Sequence, residues 1–121
     1  MYPRFVPIKV YQYSKCSTCR KALKWLDAKK VAYDAVDIVT VPPKKAELQR
    51  ALKGGIPLKK LFNTSGQSYR DGKWGDKLAK VSEADALEAL AKDGKLVKRP
   101  FILSDAGVTV GFDEAVFKKT Y

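Results

Sequence analysis

Two cysteines, Cys16 and Cys19, stand three residues apart in the run Tyr13-Ser14-Lys15-Cys16-Ser17-Thr18-Cys19-Arg20-Lys21, and the 121 residues contain no other cysteine. A thiol reacts as its thiolate, so the surroundings of Cys16 decide whether it reacts at neutral pH. If Cys16 opens a helix, the free amides and partial positive charge of that end lower its pKa, and Lys15, Arg20 and Lys21 add charge of the same sense. Cys19, three residues on, is then placed to attack a mixed disulfide or a sulfenic acid formed on Cys16. The alternative is structural, with Cys16 capping a turn and Cys19 filling a small core site. Arg99-Pro100 is the second feature with chemical meaning. An X–Pro bond adopts cis at modest cost, and a guanidinium projecting from beside it toward Cys16 would steady a thiolate or hold an oxyanion by paired hydrogen bonds. Otherwise Pro100 only begins an edge strand.

Composition removes several chemistries. The chain has no histidine, which excludes Cys-His and Ser-His-Asp catalysis, and two cysteines complete neither a structural zinc site nor a disulfide framework. No apolar run reaches the roughly eighteen residues of a membrane span. The segment Met1-Tyr2-Pro3-Arg4-Phe5 lacks the basic-then-apolar profile of a secretory signal, so a cytoplasmic protein is expected. Disulfides in that compartment are mostly transient, catalytic or sensory. The formal charge of +11 is uneven: residues 1–60 carry 14 basic and 4 acidic side chains, residues 61–121 carry 10 and 9. Such a field attracts nucleic acid, an acidic protein surface or an oxyanion, or it is a solvated lysine surface.

The elements that must position these residues follow from periodicity. Ile8 to Tyr13 alternates and reads as a strand. From Cys16 to about Lys30, Cys19, Ala22, Leu23 and Leu26 recur at helical spacing. Val31 to Ile38 reads as a second strand, and Pro42-Pro43 open a helix over 44–52 that Gly54-Gly55 close. Residues 58–80 offer short helical pieces broken by Asn63-Thr64-Ser65-Gly66 and Gly72. Ser82 and Asp85 resemble a capping box for a helix ended by Gly94. Phe101-Ile102-Leu103 and Val108-Thr109-Val110 read as a hairpin around Asp105-Ala106-Gly107, and Asp113 caps a last helix through Phe117.

A βαβ unit followed by ββα predicts an α/β, thioredoxin-like mixed sheet in a single domain of residues 1–121, with a helical insertion at about 42–93. The aromatics Tyr11, Tyr13 and Trp25 follow strand or helix spacing and are expected in the core, which disfavours direct nucleic-acid binding.

At this point the chain resembles the ArsC/Spx family, the arsenate-reductase-related branch of thioredoxin-like proteins. The resemblance rests on Cys16-Ser17-Thr18-Cys19-Arg20-Lys21-Ala22, Leu61-Phe62-Asn63-Thr64-Ser65-Gly66 with Tyr69-Arg70, Asp93-Gly94-Lys95-Leu96-Val97-Lys98-Arg99-Pro100, and Val110-Gly111-Phe112. It implies a single attacking cysteine, Cys16, and three arginines that cradle an oxyanion in the arsenate reductases. Arg99 matches one of them, while Lys59 and Gly111 stand at the other two positions. A lysine point charge does not reproduce a bidentate guanidinium and glycine has no side chain, so poor arsenate turnover is expected.

In the Spx branch the resemblance implies a disulfide switch on a protein that binds the RNA polymerase α-subunit, with Gly54-Gly55 near the contact. Asn63-Thr64-Ser65-Gly66 is instead more similar to arsenate-reductase-related members.

Two functions compete. The first is a thiol-disulfide oxidoreductase with Cys16 as nucleophile, Cys19 as resolving thiol and Arg99 as electrostatic support. Lys15, Lys59, Arg99 and Pro100 would then line its substrate site. It would bind no cofactor, act on a thiol or disulfide substrate as a monomer, and use glutathione or a partner thiol as reductant. The second is a redox-sensing regulator that consumes no substrate and whose partner is the RNA polymerase α-subunit. Neither engages a membrane.

Overall fold

The structure is a computed structural model that describes residues 8–121. The stretch Met1 to Phe5, read above for a targeting signal, lies outside the described residues. Strand β1 (Ile8–Gln12) is followed by helix α1 (Ser17–Ala28) and strand β2 (Tyr33–Asp37). Helix α2 (Lys45–Lys53), a 3₁₀ turn (Leu58–Leu61), the short helices α3 (Gln67–Asp71) and α4 (Trp74–Lys77), α5 (Glu83–Lys92) and a second 3₁₀ turn (Gly94–Leu96) come next. Strands β3 (Phe101–Ser104) and β4 (Gly107–Val110) and helix α6 (Glu114–Thr120) complete the described chain.

The four strands lie in the order β2-β1-β3-β4. β1 pairs parallel with β2 through the α1 crossover and antiparallel with β3, with Val10 opposite Ile102 and Tyr11 opposite Phe101. Successive strand residues face opposite sides, so these two pairs serve two different cores. Val10 and Ile102 pack with Ala22 and Leu26 of α1 and Phe117 of α6. Phe117 sits edge-on against Trp25, Phe112 and Tyr121, with centroids 5.4, 4.8 and 5.2 Å away. Tyr11, Phe101 and Leu103 pack with Leu48 and Ala51 of α2, Leu87 and Leu90 of α5, Phe62 and Trp74. The expected helical insertion is thus a whole layer, covering one sheet face as α1 and α6 cover the other. Tyr11 and Trp25 lie in or against these cores, and Tyr13 packs against the core that holds Tyr11.

Several boundaries differ from the periodic reading for local reasons. α1 ends at Ala28 because Lys30 turns left-handed (φ 57°) and Val31 N–H donates back to Leu26 O at 2.9 Å. Ser82 Oγ accepts from Asp85 N–H, as a capping serine should, at 3.1 Å. The closest match to a reciprocal cap occurs at α2, where Lys44 N–H donates to Glu47 Oε1 at 2.8 Å. The same carboxylate accepts from Tyr11 Oη at 2.6 Å and from Lys9 Nζ at 3.1 Å, which ties α2 to β1.

Gly94 follows the end of α5, as expected, without a left-handed turn. Asp93 caps α5, and Gly94 is buried where a Cβ would lie 1.7 Å from the Ile38 carbonyl oxygen. This glycine lets the chain after α5 pass directly over the end of β2. Gly94→Ala is therefore expected to lose about 1–3 kcal/mol or more from overpacking. Gly75→Ala, at a position with no atom within 4 Å of the new methyl, should stay close to the parent. Urea unfolding of both variants is the check, and an unchanged midpoint for Gly94→Ala would contradict the close approach.

Candidate functional site

Cys16 is the N-cap of α1, in extended backbone (φ −92°, ψ 117°), and its sulfur accepts a hydrogen bond from Cys19 N–H at 3.4 Å. The turn that delivers it is closed by Cys16 N–H donating to Tyr13 O at 3.0 Å, and Arg20 N–H then accepts the role of first intrahelical donor to Cys16 O at 3.1 Å. Serine, threonine, aspartate and asparagine usually fill such a cap with an oxygen. Here a sulfur takes that place, so the group that ends the helix is also the candidate nucleophile.

The two thiols are set apart electrostatically. Burial alone would raise the Cys16 pKa, but the Cys19 amide, the Cys19 thiol donating to its sulfur, the Arg99 charge and the Thr18 amide outweigh it and hold it below the ordinary thiol value. Cys19 is fully buried in the α1 stripe with Ala22 and Leu26. Burial, together with the neighbouring Cys16 sulfur, pushes its thiol up to about 12 against partial relief from the Tyr13 amide and Arg99. Cys16 is half-buried, so its sulfur retains a solvent-facing approach.

Of the two sources of positive field that the sequence offers at Cys16, the flanking cations and Arg99, the structure favours Arg99. Arg20, expected to lower the thiol pKa, instead donates to Ser14 O at 2.8 Å, and Lys15 and Lys21 are exposed. Arg99 acts on both cysteines from across the fold. The Arg99–Pro100 peptide bond is cis, Pro100 is buried, and the guanidinium carbon stands 5.1 Å from the centre of the Tyr13 ring. Pro100 O accepts from Gly111 N–H at 2.9 Å.

Lys59 is not gathered at the cysteines. It is exposed on the first 3₁₀ turn, which is joined to the strand-like segment before Arg99: Lys98 N–H donates to Leu61 O and Asn63 N–H to Leu96 O, both at 2.8 Å. Lys59, Lys60, Phe62, Thr64 and Lys98 line a cleft of about 340 Å3 on that flank. Gly111 has φ 74°, and a Cβ there would meet Lys98 Cε at 3.4 Å. An arginine at this position would be strained in the left-handed region. Of the candidates named from sequence, the structure brings Cys16, Cys19, Arg99 and Pro100 together, and it leaves Lys15 and Lys59 exposed. No group of three or more metal-ligating side chains gathers among the described residues.

Tyr13 was read from sequence only as a core aromatic, and its contact with Arg99 needed the tertiary fold to be seen. Its position three residues before Cys16, at the end of a strand, was the only signal available.

Residues 11–120 match the ArsC family. The chain belongs to it. The relatives span both branches expected above. The uncharacterised protein YusI of Bacillus subtilis (strain 168) is 46% identical over 112 residues, covering 92% of this chain and 95% of YusI. The global transcriptional regulator Spx of Streptococcus agalactiae serotype V is 27% identical over 110 residues, covering 88% of this chain and 77% of Spx. Among solved structures, an ArsC-family-related protein from Bacteroides fragilis superposes with a TM-score of 0.90 at 38% identity, covering 96% of this chain and 98% of that one. ArsC-family membership and the thioredoxin-like mixed sheet agree with the expectation from sequence.

The opposed environments predict selective labelling. Brief iodoacetamide exposure of the reduced native protein at neutral pH, followed by peptide mapping, should modify Cys16 well before Cys19. Preferential modification of Cys19 would reverse the two assignments.

Proposed function

We propose that this protein is a thiol-disulfide oxidoreductase in which Cys16 attacks and Cys19 resolves. The observation that carries the reading is the placement of two thiols in one helical turn, Cys16 as the α1 cap with its sulfur 3.4 Å from Cys19 N–H and Cys19 buried in the core, an arrangement that lowers the first pKa and raises the second. The Cys16 thiolate attacks one sulfur of a substrate disulfide, forming a mixed disulfide and releasing the other half as a thiolate. That step removes the negative charge on Cys16 that raises the Cys19 pKa, so Cys19 becomes easier to deprotonate when its attack is needed. Cys19 then attacks the Cys16 sulfur and expels the second substrate thiolate. Two electrons have passed to the substrate, and the Cys16–Cys19 disulfide remains. Glutathione or a partner dithiol returns those electrons. Arg99 stabilises the Cys16 thiolate before attack and again when it is regenerated, Pro100 fixes the segment that carries Arg99, and the exposed Lys15 and Lys59 favour an anionic substrate.

A second reading is a redox-sensing regulator whose partner is the RNA polymerase α-subunit, favoured by the likeness to Spx over most of the chain. Turnover separates the two, because a sensor oxidises once and consumes no substrate. Both readings place the protein in the cytoplasm; no helix among the described residues is long and apolar enough to cross a membrane.

With glutathione, glutathione reductase and NADPH supplied, reduction of a small mixed disulfide is expected to proceed catalytically. It should vanish in Cys16→Ser. Single-turnover oxidation with no sustained NADPH consumption would favour the sensor. Arsenate should be reduced at background rates in the same assay, since each missing oxyanion donor costs roughly a hundredfold. Lys59 is an exposed lysine and Gly111 has no side chain to donate. Robust arsenate turnover, lost in Cys16→Ser, would overturn that expectation.

A further inference from the structure

Arg99 acts on the Cys16 sulfur only if its guanidinium stays in place, and a long side chain ordinarily spends much of its time elsewhere. The ion pairs among the described residues are Lys9–Glu47 and Lys92–Glu88, and neither involves Arg99. What meets the guanidinium is the face of Tyr13, with the central carbon 5.1 Å from the ring centre. A planar guanidinium over an aromatic face is attracted by the ring quadrupole, and it remains free to direct its N–H groups sideways.

The ring is itself held firmly. It packs against the larger core, and Tyr13 O accepts from Cys16 N–H at 3.0 Å. One residue just after β1 therefore touches both the nucleophile's backbone and the cation that acts on its sulfur.

We propose that Tyr13 is a positioning residue whose ring holds the Arg99 guanidinium beside Cys16 and so sustains the reactive thiolate. The role presupposes Cys16 as the attacking thiol, and it is read from thiol acidity without turnover, so failure of either is seen separately. The ring supplies this through its face. The phenolic oxygen has no part in it, and Phe would serve equally. The other titratable or charged groups around Cys16 are the Cys19 thiol on α1, with the exposed Lys15 and the Ser14-bound Arg20 flanking in the chain. None of these depends on Tyr13's ring for its place.

The experiment is the pH-rate profile for iodoacetamide alkylation of Cys16 in the reduced full-length protein and in Tyr13→Leu, Tyr13→Phe, Arg99→Gln and the Leu/Gln double variant. Tyr13→Leu and Arg99→Gln should each raise the apparent pKa and lower the thiolate fraction at pH 7 by about threefold to tenfold, with no further change in the double variant. Tyr13→Phe should match the parent. An unchanged profile in Tyr13→Leu, or a double variant in which the two effects add, would overturn the assignment. A second measurement needs no substitution in the ring: in the native protein the Arg99 δ-methylene protons should be shifted upfield in the NMR spectrum by the Tyr13 ring current. Ordinary arginine shifts would overturn the proposal even if Tyr13→Leu failed to fold.

Discussion

A single weak hydrogen bond, from Cys19 N–H to Cys16 Sγ, sets the terms for the rest of the site. It makes sulfur the cap of α1, so the first-turn amides that would otherwise need solvent converge on an atom that is most useful when charged. No acidic side chain occupies the first turn to compete for those amides. The same geometry that exposes Cys16 at the helix end carries Cys19 into the buried stripe one turn on. The helix thereby gives two chemically identical groups opposite tendencies, one toward thiolate and one toward thiol.

Charge near in sequence and charge near in space diverge here. Lys15 and Lys21 flank the cysteines in the chain, yet they are exposed, where water and salt weaken their field. Arg20 is engaged with a loop carbonyl. Arg99 is more than eighty residues away in the chain, but it approaches through a half-buried space and its field reaches both sulfurs. Its approach depends on a continuous set of main-chain constraints: Pro100 O bonded to Gly111 N–H, Lys98 N–H to Leu61 O, and Phe62 bridged to Val97. These tie the segment before β3 to the insertion on one side and to the turn after β4 on the other.

The insertion therefore does more than cover a sheet face. Its α2 is fastened to β1 by Glu47, whose carboxylate accepts from Tyr11, Lys9 and the Lys44 amide and is held below the ordinary carboxylate range despite burial. Its end passes over Ile38 O at Gly94, then bonds to the first 3₁₀ turn and leads into Arg99. The cleft of Lys59, Lys60 and Lys98 exists because those two segments run side by side.

Much of this was legible from residue order. Alternation at Ile8 to Tyr13, the stripe of Cys19, Ala22 and Leu26, and the Asp113 cap required only local periodicity and hydrogen-bonding chemistry, which act within a few residues and so are written into the chain directly. The cysteine spacing and its place at a strand-to-helix junction were likewise local facts. What the tertiary structure decided were relations between distant segments. Gly94 marks the end of α5 as its sequence context suggests, but its absent side chain also answers to the carbonyl of Ile38, a partner no local pattern names. Glu47 ties α2 to β1 only because the fold brings Tyr11 and Lys9 to its carboxylate. Lys15, Arg20 and Lys21 on one side and the distant Arg99 on the other were all candidates in the sequence for the field at Cys16, and the fold favoured Arg99, because a charge acts according to its distance and the solvent between, and the fold alone sets both.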